Sequence, residues 1–425
     1  MTDKSSPTST VRIALACFVG TAIEFYDFYI YGMAAALVIG PVFFPADNPA
    51  AQTLNSFLSF ALAFLSRPIG AAIFGHFGDR IGRKTTLVAS LLVMGISTVL
   101  IGLLPGYAVI GTWAPILLCL LRFGQGIGLG GEWGGAALLA TEYAPVGRRG
   151  WYGMFPQLGP AAGFLLATAS FLWVTQCLSE QAFKDWGWRL PFLASSVLVA
   201  IGLYVRLRIA ETPVFAKVLQ QQQQVKSPLK MVLSSQLSKV LLGALSMVVC
   251  YALFYITTVF SLSYGTTHLG IARQQFLQML SVAVLFMAVA TPISGWASDQ
   301  YGRKKVLLVA GFAAFLAGFA LQPMLASGHI VSITAFLCLG LFLMGATFAP
   351  MGAFLPELFP VRLRYTGAGM AYNLGGIIGA SAAPYIAQRL VDAGGLAWVG
   401  GYVSVAAAIS FLAVCFMKES HAMHW

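Results

Sequence analysis

The sequence predicts an all-α membrane protein with twelve transmembrane helices in two pseudo-symmetric six-helix bundles, and three observations carry that expectation. Of 425 residues, 58% are hydrophobic and only 9% are charged, whereas a soluble domain carries about 25% charged residues. Twelve stretches are long and apolar enough to cross a bilayer, which takes about 20 residues of helix. Two loop patterns of the first half return in the second half. A chain this apolar cannot cover itself with polar surface in water, so its solvent is largely lipid.

Along the chain the spans fall near 12–40, 53–77, 85–104, 113–141, 150–176 and 188–209, then 237–265, 273–298, 305–326, 331–355, 365–390 and 396–417. Backbone polar groups inside a bilayer must be satisfied internally, which leaves helices or closed barrels, and the alternating ten-residue segments of a barrel are missing. The first apolar stretch is too long for a signal-peptide core and is expected to stay as helix 1. The organisation is then residues 1–209 as the first bundle, 210–236 as a cytoplasmic linker containing the run Gln220–Gln224, and 237–425 as the second bundle.

The formal net charge of +11 does not point to nucleic acid, because the positive residues sit in short loops between apolar spans. With both termini in the cytoplasm, the inner segments hold most of the Lys and Arg, among them Arg83, Lys84, Arg148, Arg149, Arg206, Arg208, Arg303 and Lys304. Only Lys184, Arg189, Arg273 and Arg389 fall on the other side. The opposite orientation would break the positive-inside rule in every short loop. The six cysteines form no CxxC pair, and five lie inside apolar spans, so neither a disulfide framework nor a metal site is expected.

The repeat is carried by cytoplasmic loops. After helix 2 the chain reads GxxxDxxGRK with Gly75, Asp79, Arg80, Gly82, Arg83 and Lys84; after helix 8 it reads the same with Gly295, Asp299, Gly302, Arg303 and Lys304. A second pair follows helices 4 and 10, where Glu142, Pro145 and Arg149 match Glu357, Pro360 and Arg364. Glycines permit a tight turn, the bases anchor the loop, and the Asp can pair with them or sit at a helix N-terminus. Contacts of that kind, made in one conformation and broken in another, form a cytoplasmic gate.

Ionisable residues inside membrane helices are expensive and mark functional paths. Five stand out: Glu24 and Asp27 in helix 1, Arg67 in helix 2, and Arg122 and Glu132 in helix 4. Three acids against two bases leave a sum of −1. Depth along each helix suggests the pairs Asp27 with Arg122, and Arg67 with Glu24 or Glu132. A guanidinium can grip a carboxylate through two hydrogen bonds, so Arg122 is the candidate for an anionic substrate group, with Asp27, then Glu24 and Glu132, as proton carriers. The alternative is a set of ion pairs that simply hold helices 1, 2 and 4 together. Tyr31, Gln125, Gln157, Tyr251, Tyr255, Tyr372 and Asn373 are further candidate substrate contacts, with Phe254 and Thr258 on the same face of helix 7. Helix packing is the competing explanation for each. Aromatic and amide groups without a clear second arginine favour a monoanion or zwitterion.

The paired GxxxDxxGRK loops and the six-plus-six layout resemble the major facilitator superfamily, as do Arg122, Gln125, Gly126 and Gly128 in helix 4 and Gly159, Pro160 and Gly163 in helix 5. A narrower resemblance is to its metabolite:proton symporter family. It is carried by Gly20, Glu24 and Asp27, by Arg67-Pro68-Ile-Gly70, by Gly130-Gly131-Glu132-Trp133-Gly134-Gly135, by Trp186, Trp188, Arg189 and Pro191, and by Glu211, Pro213 and Phe215. That resemblance implies a proton-coupled symporter of a small hydrophilic metabolite, most simply an organic acid, in the inner membrane of a bacterium. It also implies a monomer with no cofactor beyond the coupling proton. A proline/betaine-type zwitterion transporter or an uncoupled facilitator or exchanger is the alternative. An enzyme is not expected, since no HExxH, GxSxG or phosphate loop is present.

Overall fold

The computed structural model describes residues 7–44, 49–208 and 226–420. All regular structure among them is helical. Most of the expected linker, including Gln220–Gln224, and the Glu211–Phe215 motif lie outside the described residues; the linker's far end forms a short helix, Pro228–Ser235.

Twelve spans follow in order. In the first half they are α1 (Pro7–Ala34), α2 (Pro49–Ile81), α3 (Arg83–Leu103), α4 (Trp113–Glu142), α5 (Arg149–Cys177) and α6 (Gly187–Leu207). In the second half they are α7 (Leu237–Thr267), α8 (Arg273–Tyr301), α9 (Arg303–Leu325), α10 (Ile330–Glu357), α11 (Arg364–Gly394) and α12 (Leu396–Phe416). Among the described residues, eleven of these are long and apolar enough to cross a membrane as one helix. The remaining one, α11, differs: it opens on polar residues from Arg364 to Asn373, passes through a π-turn at Ile377–Ser381, and restarts at Ala383. Further π-turns follow α1 at Ala35–Ile39 and interrupt α7 at Ile256–Phe260. Such turns free backbone groups and cluster at functional sites.

Within each half, small residues let backbones approach closely, the usual way helices pack in lipid. The same approaches recur in both halves. Gly130 on α4 faces the Arg67 carbonyl of α2, and Gly345 on α10 faces the Met287 carbonyl of α8. Gly163 on α5 faces the Ala22 carbonyl of α1, and Gly379 in α11 faces the Val248 carbonyl of α7. This correspondence sets Cys250 opposite Glu24, Leu253 opposite Asp27, Met287 opposite Arg67 and Thr347 opposite Glu132. None of these four counterparts in the second half is charged.

Candidate functional site

The residues expected to form the cytoplasmic gate make two crossed contacts between the halves. Asp79 at the end of α2 accepts from the Thr366 amide at 3.0 Å, the Thr366 hydroxyl at 2.8 Å and the Tyr365 amide at 3.4 Å. Asp299 at the end of α8 accepts from the Gly150 and Trp151 amides at 2.8 and 2.7 Å. Each carboxylate thus caps the N-terminal turn of a helix in the opposite half, where the free amides and the helix dipole favour negative charge. Behind each lies an arginine. Arg83 is 3.8 Å from Asp79 and 3.2 Å from Glu142, while Arg303 is 2.6 Å from Asp299 and 3.4 Å from Glu357. Arg364 reaches Glu142 at 4.0 Å, and Arg149 is buried beside Glu357 and Asp299. The turns that make this possible sit at Gly82 and Gly302, with φ of 124° and 97°, where an L side chain would be strained. Gly75 lies against the Thr366 backbone. Arg80 is exposed, with His76 3.4 Å away, while Lys84 and Lys304 donate within their own halves, to the Leu207 carbonyl and to the Cys415 and Met417 carbonyls.

The five buried charges of the first half are all within 1% of full burial, but their partners differ from the expected ones. Arg122 does not meet Asp27. Its guanidinium donates to the Gln125 side chain and to the Ser59 and Phe60 carbonyls at 3.4 and 3.2 Å, and lies 3.6 Å over the Tyr31 ring. Gln125, nearly one turn further along α4, stands between the two: its amide nitrogen donates to the Asp27 carbonyl at 3.2 Å and to the Thr98 hydroxyl at 2.7 Å. Both carboxylate oxygens of Asp27 lack a hydrogen-bond partner, with Ser195 and Thr98 as their polar neighbours.

The ion pair expected of Arg67 is also not formed among the described residues. Its guanidinium sits 4.5 and 4.3 Å from the Phe28 and Phe64 ring centres, and its Nε and Nη2 are buried without a partner. Glu24 and Glu132 are taken instead by Arg206 of α6, a residue counted among the loop charges from sequence. Its Nη1 donates to Glu132 Oε2 at 2.8 Å and to the Leu87 carbonyl at 2.8 Å. Its Nη2 donates to Glu132 Oε1 and, at 3.4 Å, to Glu24 Oε1. Ser90 donates to Glu132 at 3.0 Å. Gly20 on α1 makes room, since a Cβ there would lie 2.6 Å from Arg206 Nη2. The sequence did carry a signal for Arg206. Three buried acids faced two buried bases, and a third base was owed.

The halves meet through an aromatic layer. Trp133 of α4 and Tyr372 of α11 stack with centres 4.0 Å apart. Trp133 donates to Gln157 at 2.8 Å, and Gln157 donates across the interface to the Phe348 carbonyl at 2.8 Å. Asn373 donates to the Gly130 carbonyl at 3.0 Å, and the Tyr251 hydroxyl to the Tyr372 carbonyl at 3.4 Å. Tyr29 stacks on Phe254 at 5.4 Å, and Tyr255 meets the Phe64 ring at 5.5 Å. Arg67 lies within electrostatic reach of Tyr29, Tyr251, Tyr255 and Tyr372. Tyr31 belongs elsewhere, hydrogen-bonded to Ser59 at 2.5 Å beneath Arg122. Sequence reasoning missed Trp133, Tyr29 and Tyr365 as interface groups, because nothing in a single aromatic residue tells which helix face meets the other half. The halves are thus joined at the paired loops and through this layer, whose aromatic rings are at most 8% exposed.

The family model described as Major Facilitator Superfamily matches residues 17–369 and 243–425. The chain is 52% identical over 414 residues to the inner membrane metabolite transport protein YhjE of Escherichia coli (strain K12), covering 96% of this chain and 94% of that one. It is 36% identical over 416 residues to the shikimate transporter of the same organism, covering 96% and 94%. It is 32% identical to the proline/betaine transporter of Salmonella typhimurium (strain LT2), covering 95% and 83%. Its fold is similar to the solved proton:xylose symporter XylE, with a TM-score of 0.79 at 14% identity over 97% of this chain and 96% of that one. The repeated gate loops, the broken helices and the one-sided charge cluster thus stand in a chain that belongs to the major facilitator superfamily, a family of transporters and not of enzymes.

Proposed function

We propose that the protein is a proton-coupled symporter of the bacterial inner membrane. In this proposal it imports a small organic anion by alternating access, as a monomer with both termini in the cytoplasm and no cofactor beyond the proton. The observation that carries the proposal is Arg67: a buried guanidinium with no carboxylate partner among the described residues, packed against the Phe28 and Phe64 rings, with Tyr29 of its own half and Tyr251, Tyr255 and Tyr372 of the other within electrostatic reach. A buried charge left unpaired costs several kcal/mol, and a bound carboxylate would offset that cost through charge-assisted hydrogen bonds. Arg122, the earlier candidate, has its donors occupied by Gln125 and two backbone carbonyls, and is better explained as the cation that fixes α2 against α4.

Asp27 supports the proton half of the proposal. Its carboxylate is fully buried without a hydrogen bond, and a bound proton removes a charge that burial disfavours. The names of relatives agree with this class of activity: one transports shikimate, others proline and betaine, and a fold neighbour couples xylose to protons. A zwitterion such as betaine is the second candidate. Trp133, Tyr251 and Tyr372 form an aromatic cluster whose faces would meet a quaternary ammonium once the Trp133–Tyr372 stack parts, while Arg67 would take the carboxylate in either case.

The test is ligand-induced thermal stabilisation of the purified protein with monocarboxylates, dicarboxylates, shikimate, proline and glycine betaine, on wild type, Arg67→Gln and Arg122→Gln. Specific binding raises the apparent Tm by mass action. Stabilisation of wild type by an organic anion, lost in Arg67→Gln, is the expected result. An equal response in Arg67→Gln would remove Arg67 from the site, and a response confined to betaine or proline would select the zwitterion.

A further inference from the structure

The triad of Glu24, Glu132 and Arg206 has one carboxylate too many. A single nitrogen, Arg206 Nη2, serves an oxygen from each acid, so the two carboxyl groups lie side by side on one guanidinium. All three residues are at most 5% exposed. Two ionised carboxylates this close repel, and one guanidinium neutralises only one of them. A proton held between Glu24 and Glu132 makes the triad neutral and supplies the missing donor.

The triad lies in the cytoplasmic part of the first half, and what covers it comes from the second half. Tyr365, in the first turn of α11, is 1% exposed. Its ring fills a hole lined by Gly78 of α2 and by Gly134 and Gly135 of α4, where any Cβ would meet the ring or its hydroxyl. Its hydroxyl donates to the Gly131 carbonyl at 2.6 Å, one residue before Glu132. Leu87 of α3 ties ring and triad together: its side chain lines the Tyr365 hole beside Gly135, and its carbonyl accepts from Arg206. At the repeat-related position the first half has Gly150, packed against Ser298, Gly295 and Arg303 of the second half. The knob is thus present only where the acids are: Thr347 stands opposite Glu132, Cys250 opposite Glu24, and Gly150 opposite Tyr365.

We propose that Glu24 and Glu132 form a shared proton store and that Tyr365 is the plug that shuts this store off from the cytoplasm until the gate opens. The inference rests on the proton-coupled function above and deepens it. While Asp79 caps the first turn of α11, the Tyr365 ring stays in its hole and water is kept from Glu132. When the gate parts, α11 withdraws with its knob and water enters. The proton then leaves the carboxyl pair as hydronium, and both acids stay ionised in the wetted site against Arg206. Asp27, three residues outward on α1, is the next carboxyl along the helix and hands the following proton inward. The groups facing the triad are Cys17 of α1, Ser90 of α3, and Tyr365 and Tyr372 of α11, with Arg83 close to Tyr365.

The experiment is infrared spectroscopy of the full chain in nanodiscs, which reads protonated carboxyl groups directly and needs no substrate. Besides the C=O component of Asp27, which is lost in Asp27→Asn, the wild type at neutral pH is expected to show a second carboxylic-acid C=O component, which disappears in Glu24→Gln and in Glu132→Gln but persists in Asp27→Asn. Its survival in both glutamine variants would overturn the store. On transfer to D2O the component should shift slowly in wild type and in Tyr365→Phe, which keeps the ring, and at least about tenfold faster in Tyr365→Ala. If Tyr365→Ala does not fold, Tyr365→Leu is read by the same criterion. A shift as slow as wild type in the folded variant would overturn the plug. Uptake of the compound found by thermal stabilisation, driven by a pH gradient into proteoliposomes, separates the two levels. If no uptake is driven while the infrared pattern appears, proton coupling falls and the store stands. If uptake is driven and the component is absent, the store falls and coupling stands.

Discussion

Trp133 and Tyr372, one from each half of the molecule, lie face to face with ring centres 4.0 Å apart and planes 2° from parallel. Offset aromatic pairs contribute about 0.5–1.5 kcal/mol beyond their burial, and this one joins the two halves. The Trp133 indole is also fixed by Gln157, which bonds on to the second half. Trp133→Leu should therefore lower uptake of the stabilising compound by about tenfold or more, with Trp133→Phe much closer to wild type. Initial uptake rates into proteoliposomes check this, and equal rates in all three would make the stack a packing contact only.

The gate should respond to loss of either Asp. Asp79→Asn and Asp299→Asn each remove charge-assisted bonds to helix N-termini of the other half, worth about 1.5–3 kcal/mol. The inward-open population should rise by about tenfold or more. Ser298→Cys, buried against Gly150 in the closed gate, reports it: alkylation should accelerate in the Asp299→Asn background and stay slow in the otherwise native chain.

Arg206→Met leaves two buried acids without their cation and should cost about 3–5 kcal/mol, seen as a lower apparent Tm. Adding Glu24→Gln and Glu132→Gln removes the uncompensated charge, and the triple variant should regain most of the loss. A triple variant less stable than Arg206→Met would mean that the acids are stabilised by other groups.

Two glycines separate close packing from helix propensity. A Cβ at Gly130 would press into the Arg67 backbone, which cannot move cheaply, whereas at Gly401 on α12 there is nothing within 4 Å. Gly130→Ala should destabilise by about 1–3 kcal/mol and Gly401→Ala should be neutral or stabilising by up to about 1 kcal/mol, measured as shifts in apparent Tm.

The spans, the two-half organisation and the gate motifs were legible because each is written locally: in runs of apolar residues, in Lys and Arg between them, and in one motif used twice. Asp79 meets Arg83 and Asp299 meets Arg303, as the motif suggested; that Glu142 and Glu357 join these two pairs was not read from the sequence. Partner choice inside the membrane was not legible. Depth along a helix fixes one coordinate of a side chain, while rotation and the reach of a long base decide the rest. Arg206 shows the second effect. It sits in the last turn of α6, where it counts as a loop charge, yet its stem carries the guanidinium back beside Gly20 to two acids. Gln125 shows the first, since its rotation places an amide where an Asp27–Arg122 bridge was expected.

The broken, polar course of α11 has a consequence for how the chain is made. A segment that begins Arg364-Tyr365-Thr366-Gly367 and pauses at Ser381 partitions poorly into lipid on its own merits at the translocon. Its neighbour α12 is continuous and strongly apolar. Membrane insertion of α11 should therefore depend on the synthesis of α12, so that a nascent chain halted after Gly394 leaves the gate-bearing helix outside the bilayer and the chain one crossing short.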